Sequence, residues 1–250
     1  MTAQLHVRGG GAGAPVLLLL HGLGATGAVW DGWRPLLAAR WPGRWLAPDL
    51  PGHGRSAALP GYTFDALAGA VAGLLTPGEP AVVLGHSLGG VVGLALAAGH
   101  PAAGVRAAVG LGVKVAWTPE ELDRARAVAR RPVTWFGTRD EAAARHLRVS
   151  GLDGLLSAAD PAVDEGLTER EGRWRPAADP AVAGVGEPGM AALLARVPAA
   201  VTLARGEHDP MNTDAQLAAL GAPVVTLPGL GHNAHVQDPG RTLALLDPYR

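Results

Sequence analysis

A chain of 250 residues, 48% hydrophobic and 17% charged, is long enough for one α/β domain with an insertion and buries a sizeable core without staples. A formal net charge of −1 excludes an electrostatic pull toward nucleic acid or anionic membrane, and the absence of cysteine excludes disulfides and thiol chemistry. Residues 1–10 carry no run long enough for a signal peptide, and the longest aliphatic run, Val16–Leu20, is far below a membrane span, so a cytoplasmic protein is expected.

Residues 5–7 read as a short edge strand and 9–13 as a glycine-rich turn. Val16–Leu20 is a continuous apolar run, the mark of a strand buried on both faces. His21-Gly22-Leu23-Gly24 follows it, where glycines let the backbone approach a ligand. Residues 30–40 have helical spacing at Trp33, Leu36 and Leu37, interrupted early by Pro35. A strand at 45–47 runs into Pro48-Asp49-Leu50-Pro51-Gly52-His53-Gly54-Arg55-Ser56. Asp49, His53 and Arg55 there fit a rigid loop satisfied by its own polar side chains. Residues 63–75 read as a helix capped by Thr63, with Asp65 in its first turn. Then come a strand at 82–84, a turn on Ser87, a helix through Ala98 stopped by Gly99 and Pro101, and a strand at 105–111.

From residue 113 to 198 the strand signals fade. Helical pieces at 119–129, 141–149 and 188–195 are separated by loops rich in Asp, Pro and Gly. This predicts a core of residues 1–112 and 199–250, with an inserted, mostly helical lid at 113–198. The lid's charges nearly balance, Lys114 and eleven Arg against thirteen Asp/Glu, and so do not advertise an anionic substrate. Trp117, Trp135, Phe136 and Trp174 in it read more as packing than as pocket wall. Strands resume at 201–204 and 224–227, and a short helix closes the chain at 241–246. Strands alternating with helices predict a mostly parallel sheet of seven or eight strands with helices on both faces.

The chemistry concentrates at Gly85-His86-Ser87-Leu88-Gly89-Gly90. Four serines and 36 glycines give about 0.08 chance occurrences of G-x-S-x-G in such a chain, so context must carry the argument. The context is a strand before the serine and an apolar helix after it. A tight turn there exposes a hydroxyl beside backbone N–H groups at a helix start. With Ser87 as nucleophile, the Leu23 N–H reads as an oxyanion donor. A serine hydroxyl needs a base of near-neutral pKa and a carboxylate to orient it. Asp209 and His232 stand in loops directly after strands, where parallel sheets gather their active sites. Glu207 and Asp214 are rival acids, and His235 is a rival base. His86 is expected to point away and pack; His21, His53 and His208 are expected to be structural. No metal-ligand spacing is present, so neither metal nor cofactor is expected.

Taken together, His21-Gly22-Leu23-Gly24, Asp49 to Ser56, Gly85 to Gly90, Gly206-Glu207-His208-Asp209 and Gly229-Leu230-Gly231-His232 resemble the α/β-hydrolase family, in its serine-nucleophile branch with a helical cap. The resemblance covers nearly the whole chain. It implies Ser87 as nucleophile, His232 as base, Asp209 as orienting acid, and oxyanion donors from the backbone of Leu23 and Leu88. It implies a carboxylesterase- or lactonase-like hydrolase of small to medium, largely apolar substrates, working as a monomer or homodimer. C–C bond hydrolysis, cofactor-free perhydrolysis and lyase chemistry on the same residues are the alternatives, with a non-catalytic small-molecule binding protein more remote.

Overall fold

The structure, a computed structural model, describes residues 4–250; the first three residues of the expected core segment lie outside them. The strands are β1 (Val7–Gly10), β2 (Val16–Leu20), β3 (Trp45–Pro48), β4 (Ala81–His86), β5 (Val105–Leu111), β6 (Leu167–Arg170), β7 (Arg173–Pro176), β8 (Ala200–Gly206) and β9 (Val224–Leu227). Seven of them form one sheet in the order β1-β3-β2-β4-β5-β8-β9, parallel except for β1, which pairs antiparallel with β3. The expected sheet is therefore present, with seven strands. The edge strand begins and ends later than its apolar residues suggest. Gly9 and Gly10 fit into it because a side chain would collide with Trp45: an added Cβ would lie 2.9 Å from its carbonyl oxygen at Gly9 and 2.9 Å from its Nε1 at Gly10.

The helices are α1 (Arg34–Arg40), α2 (Phe64–Ala72), α3 (Leu88–Gly99), α4 (Pro119–Ala129), α5 (Arg139–Ser150), α6 (Pro161–Asp164), α7 (Met190–Leu194), α8 (Asp214–Ala218), α9 (Ala234–Gln237) and α10 (Pro239–Leu243). The period of two in β2 and β4 divides the core. Leu17, Leu19, Val82 and Leu84 pack with Trp30, Trp33, Leu37 and Leu243 on one face. Val16, Leu18, Leu20 and Val83 pack with Leu67, Val71, Val92 and Leu96 on the other. Both faces are covered, which is why β2 reads as an unbroken apolar run rather than an alternating one. Residues 27–33 precede α1 as a 3-10 helix capped by Thr26, and Pro35 sits in the first turn of α1, where its missing N–H costs nothing.

Between β5 and β8 lie α4, α5, α6, the β6–β7 hairpin and α7. The hairpin departs from the helical reading of this stretch. Glu171 and Gly172 both take positive φ at its turn, and Glu169 accepts from the Gly172 N–H at 2.6 Å. The α7 residues Met190 and Leu193 are buried in the same layer as α3, so the stretch rejoins the core before β8 begins.

Candidate active site

The Ser87 turn follows from a strand and a helix that approach too closely for side chains. A Cβ at Gly85 would lie 2.2 Å from Gly89 O, and one at Gly89 would lie 2.5 Å from Leu20 O and His21 O. Ser87 itself sits at φ 50°, ψ −115°, a conformation that costs a non-glycine residue about 1–3 kcal/mol and survives only where its surroundings impose it. Within Ala81 to Gly90 it is the one residue that is not buried. Its N–H donates to Leu111 O at 2.8 Å, fixing the turn to β5.

The Leu88 N–H opens α3 beside this hydroxyl. Among the described residues, neither it nor the Leu23 N–H donates to a protein group, so both remain available to a ligand oxygen. The Leu23 loop is held by histidines. His53 Nε2 accepts from Gly24 N–H at 3.1 Å, and His21 Nε2 accepts from Leu50 N–H at 2.8 Å, lacing the loop after β2 to the loop after β3. Each ring's Nδ1 bonds a nearby carbonyl, Pro51 O for His53 and Gly22 O for His21, which sets the tautomers. Burial pushes His21 down to about 4 and His53 down to about 3, so both stay neutral and keep their acceptor nitrogens. Asp49 completes the second loop, accepting from Gly27 N–H at 2.8 Å and Arg55 N–H at 3.0 Å. These residues thus serve the loops' rigidity, as the sequence suggests.

His232 Nδ1–H donates to Asp209 Oδ2 at 3.0 Å, which leaves Nε2 as the acceptor. Burial raises the Asp209 carboxyl, but the hydrogen bond and charge of His232 and the Met211 N–H outweigh it and hold the group below the usual carboxylate range. Gly112 makes room for the pair: a Cβ there would lie 3.0 Å from Asp209 Oδ2 and 3.1 Å from His232 Nδ1. Among the described residues Ser87 Oγ has no hydrogen-bond partner, so its contact with His232 is not closed, as is frequent before substrate binds.

The rival residues lie elsewhere. Glu207 accepts from Gly229 N–H at 2.7 Å, and Asp214 opens α8 while pairing with Arg205 at 2.7 Å. His235 is buried, its ring 4.6 Å from that of Trp30 and 4.3 Å from that of His86. His208 is exposed. His86 is buried but does not point away: its Nε2–H donates to His232 O at 2.9 Å, tying the nucleophile turn to the histidine loop. Burial holds it well below the ordinary histidine value.

Three further positioning residues escape sequence reasoning. Arg205 Nη2 donates to the carbonyls of Glu207 and Asp209, each at 2.9 Å. Asn212 accepts from Val115 N–H at 2.9 Å and donates to Val113 O, clamping the Asp209 loop to the loop after β5. Trp33 Nε1–H donates to His235 O at 2.8 Å from beneath the histidine loop. Only the position of Arg205, at the end of an apolar strand, could have flagged one of them.

A cavity opens on Ser87, walled by Leu23, Phe64, Val91, Trp117 and Val182. Trp117 is thus pocket wall rather than packing alone. Lys114 lines the same cavity, its Nζ 2.9 Å from Glu121 Oε1 and 5.4 Å from the centroid of Trp117. Among the described residues no group of three or more His, Asp or Glu side chains is placed to hold a metal ion, and no helix is long and apolar enough to cross a membrane.

The chain is similar over part of its length to the pimeloyl-[acyl-carrier protein] methyl ester esterase of Neisseria meningitidis serogroup A, 47% identical over 83 residues, covering 33% of this chain and 25% of that one. It is also similar to the lipase LipV of Mycobacterium tuberculosis, 42% identical over 105 residues, covering 40% and 39% of the two chains. These matches therefore span only a quarter to two fifths of the relatives' own length. Solved structures match throughout. An E-2-(acetamidomethylene)succinate hydrolase superimposes with a TM-score of 0.81 at 25% identity, over 99% of this chain and 95% of that one. A thioesterase domain from the curacin biosynthetic pathway superimposes with a TM-score of 0.79 at 22% identity, over 98% and 95%, and so shares the fold. The model of the alpha/beta hydrolase family matches residues 17–245, from the first buried strand to beyond the histidine loop, and the chain belongs to that family.

Proposed function

We propose that this protein is a serine hydrolase of carboxylic esters or lactones, with small to medium, largely apolar substrates. The observation that carries the reading is Ser87: an accessible hydroxyl at a strained turn, beside two uncommitted backbone N–H groups, on the same rim of the sheet as a histidine oriented by a buried carboxylate. Ser87 Oγ attacks the carbonyl carbon while His232 Nε2 takes its proton. The Leu23 and Leu88 N–H groups receive the oxyanion. His232 then gives the proton to the departing alkoxide, leaving an acyl group on Ser87, and water repeats the sequence to release the acid. Asp209 keeps the imidazole in the required tautomer and stabilises its protonated form. Residues 113–198 act as the lid over this centre, and their walls choose the substrate.

The test is hydrolysis of short- and medium-chain p-nitrophenyl esters and simple lactones, with Ser87→Ala alongside and labelling by a serine-directed phosphonate. Serine-dependent turnover with a chain-length optimum is expected. Full activity in Ser87→Ala, or no labelling and no turnover in the native chain, overturns the reading.

A further inference from the structure

A second cleft adjoins the Ser87 cavity, and the two share Leu23 and Ala183 as common walls. Its surface is mainly apolar, from Val128, Val133, Phe136 and Val149 among others. Arg131, Arg145 and Arg175 also line it, and among the described residues none of the three has a carboxylate within salt-bridge distance. Arg175 is held in place: its guanidinium lies 5.4 Å from the centroid of Trp135, and its Nη1–H donates to Pro176 O at 3.0 Å. Asp179 is the cleft's one acidic side chain. Its Oδ2 accepts from Tyr62 OH at 2.8 Å and its Oδ1 from Ala181 N–H at 2.9 Å, so its oxygens are engaged within the fold.

The lid's near balance of charge hides this arrangement because its acids are used elsewhere. Glu121 pairs with Lys114, Asp164 with Arg139, and Glu165 with Arg8 and Arg55. What remains at the cleft is three guanidiniums against one committed carboxylate. An apolar trough lined by guanidiniums that no carboxylate pairs has the chemistry of a site for an amphiphile with an anionic head.

We infer that the substrate is an ester whose apolar chain ends in an anionic oxyacid group, a carboxylate or a phosphate, which the cleft of Arg131, Arg145 and Arg175 receives while the ester carbonyl lies at Ser87. The inference rests on the hydrolase reading for the second half of that statement and on the cleft alone for the first. It narrows the expectation of a merely apolar substrate.

The experiment has a kinetic arm and a binding arm. In the first, p-nitrophenyl monoesters of straight dicarboxylic acids, from succinic to sebacic, are compared with p-nitrophenyl esters of monocarboxylic acids of equal length. The ratio of kcat/KM is expected to favour the charged probe by about 10-fold at one chain length and to shrink as salt is raised. In Arg145→Gln/Arg175→Gln the ratio falls toward parity. In Arg148→Gln, an exposed arginine of α5 outside the cleft, it persists. In the second arm, monomethyl suberate and octyl phosphate are titrated into the Ser87→Ala protein by calorimetry. Saturable binding lost in the double arginine variant supports the inference, and which probe binds tells carboxylate from phosphate. Binding of neither, or equal loss in Arg148→Gln, overturns it. Turnover of neutral esters without anion binding sinks this inference and leaves the esterase. Anion binding without phosphonate labelling or turnover sinks the esterase and leaves the cleft.

Discussion

The two walls of the Ser87 cavity are built in different ways. The core side hangs from parallel strands: β2, β4, β8 and β9 each run into a loop that carries a candidate catalytic group, and buried side chains tie these loops to one another or to their neighbours. The wall from residues 113–198 is made of helices and a polar hairpin that pair with no strand of the main sheet. Its α4 has no buried residue and is kept by a Thr118–Glu121 capping box and the Lys114–Glu121 ion pair. The difference separates two tasks. Bond chemistry needs groups held within a fraction of an ångström, and the sheet supplies that. Substrate choice needs a surface that can vary without cost to the fold, and a helix with no buried residue, such as α4, offers one.

If this division is right, the largest losses of turnover belong to the core. Ser87→Ala and His232→Ala should each lower kcat by about 10⁴-fold or more, and Asp209→Asn by about 10⁴-fold through the wrong tautomer, with circular dichroism unchanged. Activity near that of the native chain in all three would break the comparison at its root. His53→Ala leaves the Gly24 N–H buried without an acceptor. It should cost about 1–3 kcal/mol in denaturant unfolding, and about 10²-fold in kcat by displacing the Leu23 loop. A change in KM alone would mean that the loop serves binding instead.

Acid sharpens the contrast at the level of stability. His21 is pushed down to about 4, and His53 and His235 to about 3, in each case chiefly by burial. The unfolded chain takes up protons near the ordinary histidine value while the folded core refuses them. Stability is therefore full above pH 6.5 and falls as pH drops from there toward 4, by about 1.4 kcal/mol per pH unit for each such histidine. Urea midpoints across that range measure it, and a flat profile would show that these rings take up protons in the folded state. The smallest effect belongs to α4. Thr118→Ala removes its cap at a cost of about 1 kcal/mol, and it should speed proteolysis near residue 118 while leaving the global melting transition in place.

Legibility in the sequence follows the same division. Val16–Leu20 is readable to the residue because burial on both faces demands an unbroken apolar run. The Ser87 turn is readable because only glycine fits at positions 85 and 89. The β6–β7 hairpin is not: Thr168, Glu169, Arg173 and Arg175 are polar, its strands are at most half-buried, and its turn puts Glu171 where Asn or Gly is usual. Asn212 and Trp33 do their positioning through backbone groups far along the chain, and such contacts leave no local pattern. The arginine cleft is invisible for a related reason, since a count of charges averages over pairs that only the fold sorts out.

Lys114, the chain's only lysine, has one further use. Its amine is clamped between Glu121 and the face of Trp117, with the side chain 19% exposed, at the seam where α4 meets the loop after β5. An amine-reactive reagent thus meets a single side-chain target, and that target is shielded while the seam is shut. The rate of acylation at this one side-chain nitrogen, read by peptide mass apart from that of the terminal amine, becomes a chemical clock for how often the clamp between Glu121 and Trp117 opens, and it needs no engineered label.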